Sequence, residues 1–350
     1  MKKIILLDYL GTCDEKENPI GHTVKVLNEY SRMLSSEYEV TVGTAKSTHN
    51  KIQNPNKLYA PYAINLGVSW KKEKIKNIIK RLKNIFYLVN QSKGYPIWIC
   101  SSDFYIFLYL FFKPKRKDKV VITLYRRNFD GEKFSKVKNY IFKKAIKKTD
   151  LVVCSDEQTE CFGTPVFHMP DYLYQDEEYD KYWREEKENK VVCLGTMGRN
   201  KLLPELVDAF NHNGYPLVIK GKFSDEELYK ELLGKAKENI SIENCYISDD
   251  EYLQILASAK YSILPYDMKM YKDRTSGVIL ESIFVNTIPI ADKRLLDFMK
   301  IPGIAYEEME ELKEVDFLNN HLGNQYGEFI RENYSYDEMK KKLVKAFEGV

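Results

Sequence analysis

The nine residues Asp273-Arg274-Thr275-Ser276-Gly277-Val278-Ile279-Leu280-Glu281 hold the groups that a phosphorylated, hydroxyl-rich ligand needs. Thr275-Ser276-Gly277 falls where a polar loop opens into an apolar helix over 278–285. The first N–H groups of a helix have no intrahelical acceptor and carry partial positive charge, so they suit a phosphate. A carboxylate stands on each side, Asp273 and Glu281, eight residues apart. Glu281 lies within the apolar helix, where an unpaired acid is costly to bury, and this favours a ligand or partner. A carboxylate accepts two hydroxyl hydrogen bonds at once, which suits a ribose diol. The Thr-Ser-Gly triplet alone is equally an ordinary helix cap. Its weight comes from a second segment, Gly195-Thr196-Met197-Gly198-Arg199-Asn200-Lys201, which follows a strand at 191–194 and supplies the cations Arg199 and Lys201.

These segments must be positioned by a frame, and the apolar patterning indicates one. Short β-branched runs at 3–8, 38–42, 97–100, 120–124 and 151–154 alternate with helical patterns. That alternation predicts a parallel sheet with helices on both faces. A polar, acidic stretch over 171–190 reads as an interdomain connection. The alternation restarts with strands at 191–194, 217–220, 240–242, 261–264 and 288–290, and helices at 203–210, 225–237, 250–259 and 278–285. The expected fold class is α/β, with two doubly wound, Rossmann-like domains: 1–170, then 191–330 after the connection. Ligands of such sheets bind outside the carboxyl ends of the strands.

Composition excludes several classes. With 350 residues, the chain is long enough for two cores. The longest apolar run, 104–112, is too short to span a bilayer, and Met1-Lys2-Lys3 leads into too few apolar residues for a secretory h-region. The six cysteines form no Cys-x-x-Cys pair, which fits reduced thiols in a cytoplasmic protein. The five histidines are equally dispersed, so no metal site is expected. The net charge of +3 hides an asymmetry. Residues 1–170 carry 30 Lys and Arg against 16 Asp and Glu; residues 171–350 carry 24 against 35, so the halves are +14 and −11. The basic half lacks the interleaved aromatic motifs of single-strand-binding modules, so no nucleic-acid partner is expected.

Taken together, these residues resemble the GT-B glycosyltransferases, and most closely glycosyltransferase family 4. The resemblance is strongest over 191–292. Lys201, six residues after Gly195, matches the family's diphosphate-binding lysine; Thr196 stands where the family has arginine, and Arg199 is the nearest substitute cation. Glu281 matches the second acid of the family's Glu-x7-Glu pair, a donor-ribose ligand. Asp273 stands in place of the first acid, which lies beside the sugar. Asn286-Thr287-Ile288-Pro289-Ile290-Ala291 is similar to the following family strand. Gly21 resembles the family's glycine loop, with His22 beside it. Tyr125, followed by Arg126 and Arg127, occupies the place of a sugar-contacting histidine. The closing helix, within 331–350, resembles the one that crosses back onto the first domain.

The resemblance implies a transferase that moves a sugar from a nucleotide-sugar to a saccharide or lipid-linked acceptor in bacterial surface polysaccharide or glycoconjugate assembly. It implies a retaining reaction without a metal or bound cofactor. Asp273 and Lys201 are its expected catalytic residues. Gly21, Arg199, Lys201, Thr275, Ser276, Gly277, Val278 and Glu281 are the expected donor ligands, and His22, Tyr125 and Arg126 the acceptor ligands. Two other readings are a sugar-nucleotide epimerase and a non-catalytic scaffold of the same fold. A helix over 71–90 sets Ile75, Ile78, Ile79, Leu82, Ile85, Phe86 and Val89 on one face and lysines on the other. Such a helix either packs on the core with a solvated basic side or lies on an anionic membrane surface at the inner face of the cell membrane.

Overall fold

The computed structural model describes residues 2–13, 23–65, 75–125, 128–156, 161–183, 186–271, 275–318 and 326–349. The chain divides into two compact units, 1–170 with 337–350, and 171–336. The first contains β1 (Lys2–Asp8), β2 (Thr12–Cys13), α1 (Thr23–Leu34), β3 (Tyr38–Ala45), β4 (Lys57–Ala60), β5 (Ile64–Asn65), α2 (Ile75–Gln91), β6 (Ile97–Ile99), α3 (Phe104–Phe112), β7 (Val120–Leu124), α4 (Ser135–Ile146), β8 (Leu151–Cys154) and β9 (Val166–His168). Its main sheet is parallel throughout, in the order β4-β3-β1-β6-β7-β8-β9.

Strand β6 shows how period-two alternation builds a core on each face. Ile97 and Ile99 join the cluster that includes Ile85 and Leu88 of α2, Phe107 of α3 and Phe142 of α4. Trp98 points the other way and is fully buried. Its indole stacks on Tyr30 of α1 at 4.2 Å and 13°, and its Nε1–H donates to Thr123 Oγ1 at 2.9 Å. Phe347, from the C-terminal helix, packs on the same indole at 5.3 Å.

The second unit contains α5 (Asp176–Tyr179), β10 (Glu188–Leu194), α6 (Leu203–Asn213), β11 (Leu217–Gly221), α7 (Glu226–Lys235), β12 (Ile240–Asn244), α8 (Asp249–Ser258), β13 (Ala259–Leu264), α9 (Gly277–Phe284), β14 (Ile288–Asp292), α10 (Lys293–Met299), β15 (Ile304–Tyr306) and α11 (Tyr326–Tyr334). The last helix, α12 (Tyr336–Glu348), returns its residues from Asp337 onward to the first unit. The second sheet is also parallel, in the order β12-β11-β10-β13-β14-β15. Each sheet reverses its winding direction beside its own first strand, between β1 and β6 and between β10 and β13. In doubly wound sheets, ligands bind at that reversal.

Two expectations differ from the structure. The acidic stretch 171–190, read as a connection, contributes Tyr172, Leu173, Tyr179 and Tyr182 as buried side chains. Tyr179 packs against Phe284 of α9 at 5.0 Å. Its acids set the average polarity of the stretch, and its aromatics decide where it packs. The apolar stripe on α2 also splits. Ile85 and Val89 are buried with Leu88, whereas Ile75, Ile79 and Phe86 are exposed. The rest of the inward face is polar: Asn77, Arg81 and Asn84. Hydrogen bonds make this burial possible. Asn84 Nδ2 donates to Tyr9 O at 3.1 Å and Tyr62 O at 2.8 Å, and Arg81 pairs with Asp103 at 2.9 Å.

Trp98 fixes α1 and α12 to one face of the first sheet. Trp98→Ala is expected to destabilise the first unit by about 3–5 kcal/mol, the usual cost of removing a large buried aromatic. Urea denaturation followed by circular dichroism measures this; a change below about 1 kcal/mol would contradict the packing described.

Candidate active site

The best-defined candidate site lies at the winding reversal of the second sheet. Gly195 leaves β10 with φ +98°, and Gly221 ends β11 with φ +153°. A Cβ on Gly221 would lie 1.7 Å from the Gly195 carbonyl oxygen. Only glycine permits that approach, which carries the loop 195–201 across the strand ends. Lys201 N–H then donates to Gly198 O at 3.0 Å, and Leu202 N–H donates to Pro265 O at 2.7 Å, tying this loop to the one that follows β13.

Lys201 is buried. Its Nζ lies 3.4 Å from Leu194 O and 3.7 Å from Met197 Sδ, and 5.8 Å from the centre of the Tyr266 ring. Among the described residues no carboxylate lies within ion-pair distance of it. Burial pushes its pKa below the ordinary 10.5, opposed by the neighbouring Cys193 thiol. An ammonium taken out of water with one carbonyl and one thioether is under-compensated, and a bound anion would complete it.

Tyr266 joins this cation to the start of α9. Its ring stacks on Tyr271 at 4.0 Å and 4°. Burial raises its hydroxyl's pKa, and the hydroxyl interacts with Ser276. Ser276 is the N-cap of α9 and is buried, with no side-chain cap bond. Its N–H donates to the soft Met299 Sδ, at 3.3 Å. Tyr271 O–H donates to Thr275 O at 2.8 Å, and Thr275 Oγ1 bonds to Asp171 Oδ2, which shapes the turn. Gly277 is required here, because a Cβ would sit 2.3 Å from Tyr172 Cε2.

Glu281, half-buried on the second turn of α9, belongs to the same cluster. The buried Tyr252 hydroxyl beside it has its pKa raised well above 10.0, first by burial and then by the Glu281 charge. Tyr266 and Tyr172 neighbour the same hydroxyl. The structure therefore brings Lys201, Ser276, Gly277 and Glu281 together around four tyrosines, with Thr275 and Val278 at the same turn.

Arg199 is engaged elsewhere in the second unit. Arg199 is exposed, and its Nε–H donates to Asp225 Oδ2 at 2.6 Å. Asp225 in turn caps α7 through Glu227 N–H and Leu228 N–H, so Arg199 is engaged in securing that helix. Tyr125, at the end of β7 in the first unit, is half exposed and donates to Cys100 O at 2.9 Å. Asp273, Gly21, His22 and Arg126 lie outside the described residues. Among the described residues no group of three or more His, Cys, Asp or Glu is arranged to hold a metal ion. Tyr266, Tyr252, Tyr172 and Gly221 were not singled out from sequence. Gly221 carries the one local signal, a glycine ending a buried strand.

At the first sheet's reversal, two carboxylates are held by local donors. Asp8 is fully buried and accepts from Gly11 N–H at 3.0 Å and Ser101 Oγ at 2.5 Å. Asp103 accepts from Tyr9 O–H at 2.8 Å and is paired with Arg81.

Two tandem doubly wound units, with a final helix returned to the first, define the GT-B fold. No family model and no curated protein matches the sequence. Solved structures match along nearly its whole length. HepE from Anabaena, solved with UDP, matches at TM-score 0.69 and 11% identity, covering 100% of both chains. TarM matches at TM-score 0.66 and 11% identity, covering 99% of both. AviGT4, a glycosyltransferase of avilamycin A biosynthesis, matches at TM-score 0.60 and 12% identity, covering 99% of this chain and 97% of that one. At these identities the shared property is the fold.

The lowered pKa of Lys201 sets a pH signature. A bound diphosphate would favour the ammonium, so affinity should fall as pH rises from neutrality towards 10.5. If a nucleoside diphosphate binds at Lys201, Lys201→Met should weaken that binding roughly 10- to 100-fold at neutral pH, the cost of one hydrogen bond to a charged group, and flatten that dependence. Titration calorimetry across pH measures both; a flat wild-type profile would show that the bound anion does not contact Lys201.

Proposed function

We propose that this protein is a glycosyltransferase that uses a nucleotide-sugar donor. The observation that carries this reading is the buried Lys201 ammonium, linked through Tyr266 to the uncapped start of α9, with Glu281 in the same cluster. A fixed cation and bare helix N–H groups suit a diphosphate, and the carboxylate suits a ribose diol. The fold shared with HepE and TarM supports the reading, since HepE was solved with UDP and TarM with UDP and a GlcNAc-glycerol.

In the proposed reaction the bond between the sugar's anomeric carbon and the diphosphate oxygen breaks, and that oxygen takes the electron pair. Lys201 and the N–H groups of Ser276, Gly277 and Val278 receive the developing charge without a resident metal. One such donor is worth about 3–4 kcal/mol of transition-state stabilisation. An acceptor hydroxyl forms the new bond to the anomeric carbon, and its proton passes to the departing diphosphate oxygen. We propose a saccharide or lipid-linked acceptor in surface polysaccharide or glycoconjugate assembly, and a retained anomeric configuration. Asp273 is proposed to act beside the sugar.

Thermal-shift measurements with UDP-, GDP-, ADP-, CMP- and dTDP-sugars test the donor reading. A ligand at a hundredfold excess over its Kd stabilises by about 2.7 kcal/mol, or several degrees in Tm. One nucleotide class should give that shift, and Glu281→Ala and Lys201→Met should each abolish most of it. The absence of a shift with every nucleotide would overturn the assignment. Release of nucleotide only when an acceptor is supplied would separate transfer from epimerisation.

A further inference from the structure

Helices α2, α3 and α4 lie side by side over one face of the first sheet. Having 17, 9 and 12 residues, they carry four, none and four Lys or Arg, and no Asp or Glu at all. The outer side of this layer is apolar as well as basic. Ile75 is 76% exposed, Phe112 74%, Val137 58%, Tyr140 56% and Phe86 42%. Rings connect across the layer: Phe86 of α2 meets Tyr109 of α3 at 5.0 Å, and Phe111 of α3 meets Tyr140 of α4 at 6.1 Å. Lysines sit on these rings, Lys113 Nζ at 5.2 Å from Phe86 and Lys144 Nζ at 5.8 Å from Tyr140.

Carboxylates near the layer are held in local pairs. Asp103 pairs with Arg81 at 2.9 Å, Glu132 with Lys138 at 2.6 Å and Asp150 with Lys115 at 2.7 Å. Among the described residues, Lys76, Lys83, Lys113, Lys136, Lys143 and Lys144 have no carboxylate within ion-pair distance. Exposed rings would seek an apolar phase, and the ammonium groups beside them would seek anions at its edge. A second copy of the same face is a poor occupant, because the like charges would repel.

We propose that the outer face of α2, α3 and α4 is a docking surface for an anionic lipid bilayer. The exposed rings and Ile75 enter the boundary between headgroups and acyl chains, and the lysine stems lie along it with their ammonium groups on lipid phosphates. The inference rests on first-unit residues and is independent of the donor-site reading. It differs from the basic-helix expectation, because part of the α2 stripe faces outward and α3 and α4 extend the surface.

Co-sedimentation with phosphatidylcholine vesicles, with and without phosphatidylglycerol, tests the proposal on the full chain. Binding should require the anionic lipid. Lys113→Gln and Lys144→Gln should each weaken it roughly fivefold. The double change Phe112→Ser with Tyr140→Ser should weaken it at constant charge. These positions are exposed, and circular dichroism checks that each variant folds. In Phe112→Trp, the added indole should be quenched by bromine-labelled acyl chains. Equal pelleting with both vesicle types would overturn the proposal, as would binding unchanged by either set of variants. Binding to an acidic polymer such as heparin with none to vesicles would also overturn it, by assigning the face to a soluble polyanion. A nucleotide-induced thermal shift that survives in these variants keeps the outcome separate from the donor site.

Discussion

A buried ammonium with few compensating partners constrains the second unit. Lys201 has given up water for a carbonyl and a thioether. It is held there by the backbone, since its own N–H and that of Leu202 lock the loop against the loop after β13. The glycine pair 195 and 221 permits the strand ends to approach closely enough for that lock. Removing water from one charge makes any anion that reaches it interact more strongly. Burying the lysine is thus costly, and such a cost persists where the surrounding structure over-determines the position.

The two winding reversals illustrate opposite uses of the same topology. In the first unit, Arg81 pairs with Asp103, Tyr9 donates to Asp103 and Ser101 donates to Asp8, and the network fixes the loops. In the second, the cation has no carboxylate partner among the described residues, and the helix start has no side-chain cap. The first arrangement spends its polar groups on local structure; the second leaves charge available for a ligand. Fold alone does not distinguish these outcomes; the side chains at the strand ends do.

Much of this was legible in sequence where the signal was local. Strand runs such as 120–124 and 151–154 are buried and β-branched, and they occupy the expected places. Lys201, Ser276, Gly277 and Glu281 were identified by motif spacing, and the structure places them in one cluster. Tyr266, Tyr252 and Tyr172 were not, because each acts through a contact far away in sequence. One tyrosine among 26 carries no mark of that contact. The α2 stripe divides between core and surface for a related reason. Periodicity weighs apolarity alone, and it has no means of seeing that Asn84 and Arg81 will find buried partners while Phe86 will not. The segment 171–190 failed in the opposite direction, as its charges masked four core residues.

The division of charge between the halves also acquires a physical meaning. A donor anion is proposed to bind within the half that carries a net charge of −11. Net charge does not decide this. Exposed carboxylates are screened over about 10 Å at ordinary salt, whereas a buried ammonium acts at contact in a medium of lower dielectric. Asp225 is already occupied by Arg199, and Glu243 and Glu251 share Lys220. The acids of the second half are thus partly tied up in surface pairs. The first half is different: its excess charge is spread over exposed helices and can act only on something as extended as itself.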